Sequence, residues 1–186
     1  MDIEISRLRD AFLIKPRIFN DKRGYFLEAY NEERFMEYSG LKINFIQDNE
    51  SGSKKGSLRG LHFQKPPFAQ SKLVRVIKGK VQDIIVDIRY GSPTFGQWES
   101  YILSEENKHQ LFIPKGFAHA FLTLSDTAIF SYKVDNKYNP ASDAGIIWND
   151  PELAIDWQLE TNSLMLSEKD ASLQSFNEYR KKPDFQ

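Results

Sequence analysis

The sequence predicts an all-β protein, an antiparallel sandwich or small barrel of the jelly-roll type. Short runs with strand character follow one another along most of the 186-residue chain. Within these runs apolar and polar side chains mostly alternate with the period of two that is typical of strands. No helical stretch of roughly 10–15 residues separates the runs, which argues against the strand–helix units of a parallel sheet. In the predicted strand Val81–Arg89, a period of two places Gln82, Ile84, Val86 and Ile88 on one face, and Asp83, Ile85, Asp87 and Arg89 on the other.

Ten runs are predicted to be strands. In order they are Phe12–Phe19, Gly24–Tyr30, Ile43–Gln47, Ser57–Gln64, Lys72–Lys78, Val81–Arg89, Trp98–Leu103, Gln110–Ile113, Ala118–Leu124 and Ala128–Val134. Turn-forming residues lie between several of them, in the segments 20–24, 78–80, 90–93 and 114–116. Helices are expected only at the margins: Asn31 caps a short helix through Met36, and a second helical stretch follows Ser167. We expect residues 1–186 to form a single domain.

The composition excludes several functions. The 25 basic and 26 acidic residues leave a net charge of −1, which gives no electrostatic footprint for nucleic acid or an anionic membrane. The chain has no cysteine, so disulfides, thiolate nucleophiles and cysteine-ligated metals are excluded. The N-terminus lacks the features of a signal peptide, and no apolar run approaches the roughly 20 residues that span a bilayer. We therefore expect a cytoplasmic protein.

The strongest chemical signal lies in two neighbouring predicted strands. Leu58–Gln64 contains Arg59 and His62, and the next strand begins with Lys72. Cations close to an apolar strand are costly unless they are paired or face a cavity. A histidine and two cations around one cavity suggest proton chemistry on an anionic substrate. Taken alone, however, a buried histidine such as His62 is more often a hydrogen-bonded core residue than a catalyst.

Other candidates have simple structural explanations as well. His119 lies just past a turn and is a second candidate for the cavity, whereas His109 lies in a polar loop and is expected at the surface. Tyr132 and Tyr138 could pack at a sheet rim and over a loop. Asp170 lies three residues after Ser167, the spacing of a capping box, and Arg23 before Gly24 could be a turn charge.

A metal site is a rival interpretation. The run from Pro114 to His119 resembles the second motif of metal-binding cupin barrels. Such sites need a further pair of histidines and a carboxylate, but the corresponding place reads His62-Phe63-Gln64. One histidine from each motif is a poor ligand set, so no metal is expected.

These candidate residues occur together in one pattern, and with it nearly the whole chain resembles the dTDP-4-dehydrorhamnose 3,5-epimerase family. This resemblance favours the catalytic interpretation over the structural and metal-binding ones. The matching runs keep the order found in the family and extend from about Phe12 to Asp170. They are Asp21–Glu28, Phe45–Ser51, Leu58–Gln64, Lys72–Arg75, Gly91–Gly96, Ile113–Phe121, Tyr132–Lys133 and Ser167–Asp170.

The resemblance implies a cupin-type jelly roll that acts without a cofactor on a dTDP-linked 4-keto-6-deoxyhexose. The C3 and C5 hydrogens of that sugar are acidified by the C4 carbonyl. The resemblance makes His62 the general base and Asp170 its orienting carboxylate. It places Lys72 near the C4 oxygen, where a fixed cation stabilises an enolate, and makes Tyr132 the acid on the opposite face.

The remaining matched residues are assigned to the nucleotide and the sugar. The resemblance places Arg23 and Arg59 at the pyrophosphate, and Phe26 and Tyr138 against the thymine. The other implied contacts are Glu28, Gln47, Asn49, His119, Lys169 and, more weakly, Asp143. The family also implies a homodimer in which Arg23, Phe26 and Glu28 serve the neighbouring subunit's site. Two alternatives stay open: an epimerase of one carbon only, and a non-catalytic cupin that binds nucleotide sugars.

Overall fold

Two antiparallel sheets and a separate hairpin form the framework of residues 2–186, the part of the chain that the computed structural model describes. The strands are β1 (Asp2–Ile5), β2 (Phe12–Lys15), β3 (Phe19–Asp21), β4 (Gly24–Phe26), β5 (Gln47–Lys54), β6 (Leu58–Gln64), β7 (Lys72–Lys78), β8 (Lys80–Asp87), β9 (Trp98–Ser104), β10 (Gln110–Ile113), β11 (Phe117–Thr123), β12 (Thr127–Val134) and β13 (Asp143–Gly145). The helices are α1 (Glu32–Ser39), α2 (Glu168–Ala171) and α3 (Phe176–Lys181), with a 3-10 turn at Thr161–Ser163.

The strand order confirms the predicted all-β jelly-roll sandwich. The first sheet has six strands in the order β1-β2-β10-β7-β12-β5, and the second has five in the order β13-β6-β11-β8-β9. The third is the hairpin of β3 and β4. Strands that are adjacent in sequence often lie in different sheets, which is characteristic of a jelly roll. Among the described residues, no helix is long and apolar enough to cross a membrane.

The core has three layers because both sheets are covered on both faces. Between the sheets, the rings of Phe121 and Phe130 stack with centroids 4.2 Å apart. The C-terminal segment packs Phe176 and Tyr179 against the outer face of the five-stranded sheet. Helix α1 inserts Phe35 against the outer face of the six-stranded sheet. Strand β8 is consequently buried on both faces from Val81 to Asp87.

Most of the predicted strands are confirmed with shifts of one or two residues, but three are corrected. Phe12–Phe19 is two strands, since β2 ends at Lys15 before Pro16, which lacks the N–H that a sheet ladder needs. The Gly24–Tyr30 strand ends at Phe26. The strand predicted at Ile43–Gln47 is wrong, because residues 41–46 are irregular and β5 begins only at Gln47.

Strand β5 was missed because it carries no hydrophobic alternation. Its sequence is Gln-Asp-Asn-Glu-Ser-Gly-Ser-Lys, yet all eight residues pair with β12. It is an edge strand of the six-stranded sheet, where a polar sequence is tolerated because little of the strand is buried. The short strands β1 and β13 were also absent from the prediction.

Both predicted helix starts are confirmed. Asn31 Oδ1 accepts a hydrogen bond from the Arg34 N–H at 3.1 Å, and Gly40 ends α1 in the left-handed conformation. Ser167 accepts from the Asp170 N–H at 3.1 Å at the start of α2. The reciprocal capping box occurs instead at α3, between Ser175 and Glu178.

Candidate active site

A cavity of about 460 Å³ opens between the two sheets. The five-stranded sheet contributes residues from β6 and β11, and the six-stranded sheet contributes residues from β5, β7 and β12. The segment from Met165 to Asp170 closes one side. Seven of the residues singled out in the sequence line this cavity: Arg59, His62, Lys72, His119, Tyr132, Lys169 and Asp170.

A β-bulge lets both Arg59 and His62 face the cavity, although strict alternation would place residues three apart on opposite faces. Arg59 pairs with Phe121 and His62 pairs with His119, so two residues of β6 oppose one residue of β11. Gly60 lies inside the bulge at φ +124°, where a Cβ would come within 2.6 Å of the Ala120 backbone. Glycine is therefore required at this position.

The imidazole of His62 is hydrogen-bonded to a buried carboxylate from the other end of the chain. His62 Nε2 contacts Asp170 Oδ1, and the Ser167 hydroxyl donates to Asp170 Oδ2 at 2.8 Å. Burial works to raise the pKa of Asp170, but the hydrogen bond and charge of His62, together with Ser167, lower it overall. The carboxylate is thus ionised at neutral pH and holds His62 in place. Asp170 thus contacts His62 and also takes part in the cap of α2. The structural interpretation of Asp170 as a capping residue and its expected contact with His62 are therefore compatible.

Lys72 supplies a cation whose charged ammonium form is destabilised by burial. It is the first residue of β7, paired with Ile113 and Val134. Burial lowers the pKa of Lys72 to about 8, against the opposing attraction of Asp83 and Asp143. The ammonium is therefore still mostly protonated at neutral pH and is poorly solvated, so an anion in the cavity would interact with it strongly.

A second histidine–carboxylate pair lies deeper in the cavity wall. His119 Nε2 lies 3.0 Å from Asp83 Oδ2, and both side chains are buried. Burial raises the pKa of Asp83, with opposing effects from His119 and Lys72, and burial lowers the pKa of His119. Both shifts favour the uncharged form of the side chain, as expected for buried groups. Sequence reasoning missed Asp83, although a carboxylate within a run of apolar strand residues was a usable signal.

The six-stranded sheet presents hydroxyl groups to the same space. Tyr132 lies on β12, and burial raises its pKa, with an opposing effect from Arg59. Its phenol consequently stays protonated at neutral pH. Ser51 of β5 is a second residue that sequence reasoning did not select. Its Oγ is buried at the cavity and has no hydrogen-bond partner among residues 2–186.

Four further predicted residues lie near the rim of the cavity without lining it. Gln47 and Asn49 are joined by a hydrogen bond of 2.8 Å, on the face of β5 that also carries Ser51. Asp143 forms an ion pair with Lys169 and accepts a hydrogen bond from the Tyr138 hydroxyl at 2.9 Å.

The remaining three predicted residues are not brought to this cavity by their own chain. Arg23 lies on the β3–β4 turn, where it pairs with Asp21 at 2.6 Å, and its side chain is 90% exposed. Phe26 is 68% exposed on the same hairpin. Glu28 pairs with Arg34 at 3.0 Å and lines a separate hollow on the outer face of the six-stranded sheet. His109, which was expected at the surface, is half-buried outside both hollows.

The two histidines of the cupin-like motifs each contact a carboxylate. In residues 2–186, no three His, Asp or Glu side chains come close enough to form a ligand set for a metal ion.

The fold and the cavity define a class of protein. A jelly-roll sandwich that holds a histidine–carboxylate pair, a lysine of lowered pKa and a protonated tyrosine in one cavity is equipped for acid–base catalysis. Residues 6–178 match the sequence profile of dTDP-4-dehydrorhamnose 3,5-epimerase, and the chain belongs to this family of isomerases.

Individual relatives agree over nearly the full chain. The dTDP-4-dehydrorhamnose 3,5-epimerase of Escherichia coli is 49% identical over 96% of both chains. The crystal structure of the Elizabethkingia anophelis enzyme is 47% identical with a TM-score of 0.93, covering 97% of this chain and 98% of that one. The epimerase of Legionella pneumophila, solved in complex with dTDP-4-keto-L-rhamnose, is 48% identical with a TM-score of 0.91, covering 95% and 93%.

The lowered pKa of Lys72 can be measured directly. In protein with ¹³C-labelled lysine, we expect one side-chain signal to titrate near pH 8, because burial disfavours the ammonium form. Exposed lysines should titrate at about 10.4. The Lys72→Arg variant should lack the early signal. If every lysine signal titrates above about pH 10, Lys72 is fully solvated and this description of the cavity is wrong.

Proposed function

We propose that the protein epimerises dTDP-4-dehydro-6-deoxy-D-glucose at C3 and C5, giving dTDP-4-dehydro-L-rhamnose in dTDP-L-rhamnose biosynthesis. The observation that carries the proposal is the placement of His62 and Tyr132. They lie on opposite sheets that face each other across one cavity. A base on one side of a sugar carbon and an acid on the other are what inversion of that carbon requires.

The base in this proposal is Nδ1 of His62. Because Asp170 occupies Nε2, the carboxylate stabilises the tautomer with its proton on Nε2 and leaves a lone pair on Nδ1. Nδ1 takes the proton from C3 or C5, and the electron pair of the broken C–H bond moves to the C4 oxygen as an enolate. Asp170 then stabilises the imidazolium, as the aspartate of a catalytic triad does.

The enolate is stabilised and then protonated from the other sheet. Lys72 places its ammonium by the C4 oxygen, where a poorly solvated cation stabilises developing charge strongly. Tyr132 donates its phenolic proton to the carbon from the face opposite His62, which inverts the centre. The raised pKa of Tyr132 supports this assignment, because the phenol is protonated when the enolate forms.

The nucleotide is held by residues at the mouth of the cavity. Arg59 uses Nε on Ser53 and one Nη2 hydrogen on Gly52, so further donors of its guanidinium are available to the pyrophosphate. His119 and Lys169 line the same cavity and are assigned to the sugar and phosphate region. Gln47, Asn49 and Asp143 lie at the rim, and the exposed ring of Tyr138 is a stacking surface for thymine.

Solvent deuterium tests the reaction and separates it from its alternatives. In deuterated water, mass spectrometry of the product should show two deuteria, one each at C3 and C5. A single deuterium would identify an epimerase of one carbon. Absence of deuterium, with dTDP-sugar binding intact, would identify a non-catalytic nucleotide-sugar-binding protein.

The role of His62 predicts a large loss of rate without a loss of binding. His62→Asn should lower kcat by about 10²–10⁴-fold, the usual contribution of a general base. The Kd for dTDP should stay close to the wild-type value. His109→Asn is the matched control, since His109 lies outside the cavity, and it should keep full activity. Near-normal turnover of His62→Asn would make His62 a structural residue.

The role of Tyr132 predicts that the two half-reactions can be separated. Tyr132→Phe should still exchange substrate hydrogens for solvent deuterium, because the base is untouched, but it should form product far more slowly. Tyr101→Phe is the control, because the Tyr101 hydroxyl bonds to Glu99 outside the cavity. Equal loss of exchange and product would mean that Tyr132 positions the substrate and does not donate the proton.

We further propose a homodimer with shared active sites. The β3–β4 hairpin exposes Phe19, Tyr25 and Phe26, and the Arg23 side chain extends from its turn. These residues lie away from the cavity of their own chain, so a second copy would have to receive them. In this arrangement Arg23 of one subunit reaches the pyrophosphate bound by its partner, with Phe26 and Glu28 at the thymine.

Mixed dimers test this arrangement. Arg23→Ala and His62→Asn subunits, each inactive alone, should recover about a quarter of the wild-type activity when they are co-expressed. Half of such dimers are mixed, and each mixed dimer has one intact site. His62→Asn mixed with Tyr132→Phe is the control and should recover nothing, because both residues belong to the same chain's cavity. The shared site would be contradicted if both mixtures recovered the same activity, or if neither mixture recovered any.

A further inference from the structure

Gln64 is a buried amide that none of the proposed catalytic steps uses. It lies on β6 two residues beyond His62 and is 6% exposed. Its Nε2 donates to the Phe68 carbonyl at 2.8 Å and to the Lys137 carbonyl at 3.1 Å. Its Oε1 accepts from the Asn139 N–H at 2.7 Å. Both amide hydrogens are therefore engaged, and the partners fit only this orientation of the amide.

Two of these hydrogen bonds hold the peptide groups on either side of Tyr138. The Lys137 carbonyl belongs to the peptide before Tyr138, and the Asn139 N–H belongs to the peptide after it. The orientation of those two planes sets the φ and ψ angles of Tyr138, and hence the direction in which its side chain leaves the backbone. One buried side chain thus determines where the ring of Tyr138 points.

The ring itself has few other restraints. Tyr138 is 56% exposed, and the only hydrogen bond of its side chain among residues 2–186 is the one that its hydroxyl donates to Asp143 at 2.9 Å. Asp143 in turn pairs with Gln64 across the β6–β13 ladder. Gln64 therefore contacts both the backbone beside Tyr138 and, through strand pairing, the residue that binds its hydroxyl. Gln64 lies on the strand that carries His62.

We propose that Gln64 is the positioning residue for Tyr138, and that it holds this ring ready to stack on the base of the nucleotide at a set distance from His62. The inference rests on the thymine contact of Tyr138 in the proposed function. Preorganisation of the ring improves affinity because no loop has to be ordered on binding. It leaves the chemistry at His62 unchanged.

A double-mutant cycle on dTDP binding tests the inference. Gln64→Met keeps the length of the side chain but loses all three hydrogen bonds, and it should weaken dTDP binding by about tenfold. Tyr138→Ala should weaken it by about tenfold or more, since stacking is lost. In the Tyr138→Ala background, Gln64→Met should change the Kd less than about twofold, because the ring it positions is gone. The kcat of Gln64→Met should stay within about twofold of wild type.

The control is Gln70→Met. Gln70 also joins the segment after β6 to the segment after β12, because its Nε2 donates to the Asn136 carbonyl at 2.7 Å. It makes no hydrogen bond to the peptide groups on either side of Tyr138. It should leave dTDP binding unchanged. If Gln64→Met fails to fold, Gln64→Asn, which shortens the reach by one methylene, takes its place in the cycle.

Several outcomes would overturn the inference. Additive effects of Gln64→Met and Tyr138→Ala would show that Gln64 acts elsewhere. The same is true if Tyr138→Ala leaves dTDP binding intact, or if Gln70→Met matches Gln64→Met. Failure of the epimerase function would be seen separately, as dTDP binding by the wild type without deuterium incorporation from solvent.

Discussion

The structure depends most on how strand β6 is paired along its two edges. On one edge, the bulge at Gly60 against β11 rotates Arg59 and His62 onto the same face. A Cβ at Gly60 would lie 2.5 Å from the His119 carbonyl oxygen, so the pairing closes only around a glycine. Without the bulge, the pleat would direct one of these two side chains away from the cavity. The local irregularity of one strand therefore brings together the proposed base and the proposed phosphate-binding cation.

On its other edge, β6 pairs with β13, and this pairing brings His62 close to Asp170. His62 pairs with Gly145 of β13, and a Cβ on Gly145 would lie 2.5 Å from the Leu61 carbonyl oxygen and 2.7 Å from Leu173. The residue after Gly145, Ile146, bridges to Gln174, four residues beyond Asp170. His62 and Asp170 are 108 residues apart in sequence. The two neighbouring backbone pairs, His62 with Gly145 and Ile146 with Gln174, nevertheless determine their relative position.

The cavity contains charges that would be expensive in an ordinary core. Asp83 is fully buried, and Asp170 is 4% exposed. Each carboxylate contacts a histidine, and Lys72 adds a cation close to the Asp83–His119 pair. Burial of such pairs rarely adds to stability, because desolvation cancels most of the attraction. Their cost is understandable in a site that is proposed to hold an anionic nucleotide sugar and to move protons.

Local sequence determined the strands with hydrophobic alternation, the helix caps at Asn31 and Ser167, and the residue types needed for proton chemistry. These properties depend on neighbours within a few positions, so they can be read from a single chain. The resemblance to a known family extended that reading to residues whose local sequence is uninformative, such as Arg23. Only the tertiary structure revealed the polar edge strand β5, the partner of His119 at Asp83, and the bulge at Gly60, because each depends on pairing between distant segments. It also placed Arg23, Phe26 and Glu28 outside the cavity of their own chain, a matter of three-dimensional distance that no local pattern records.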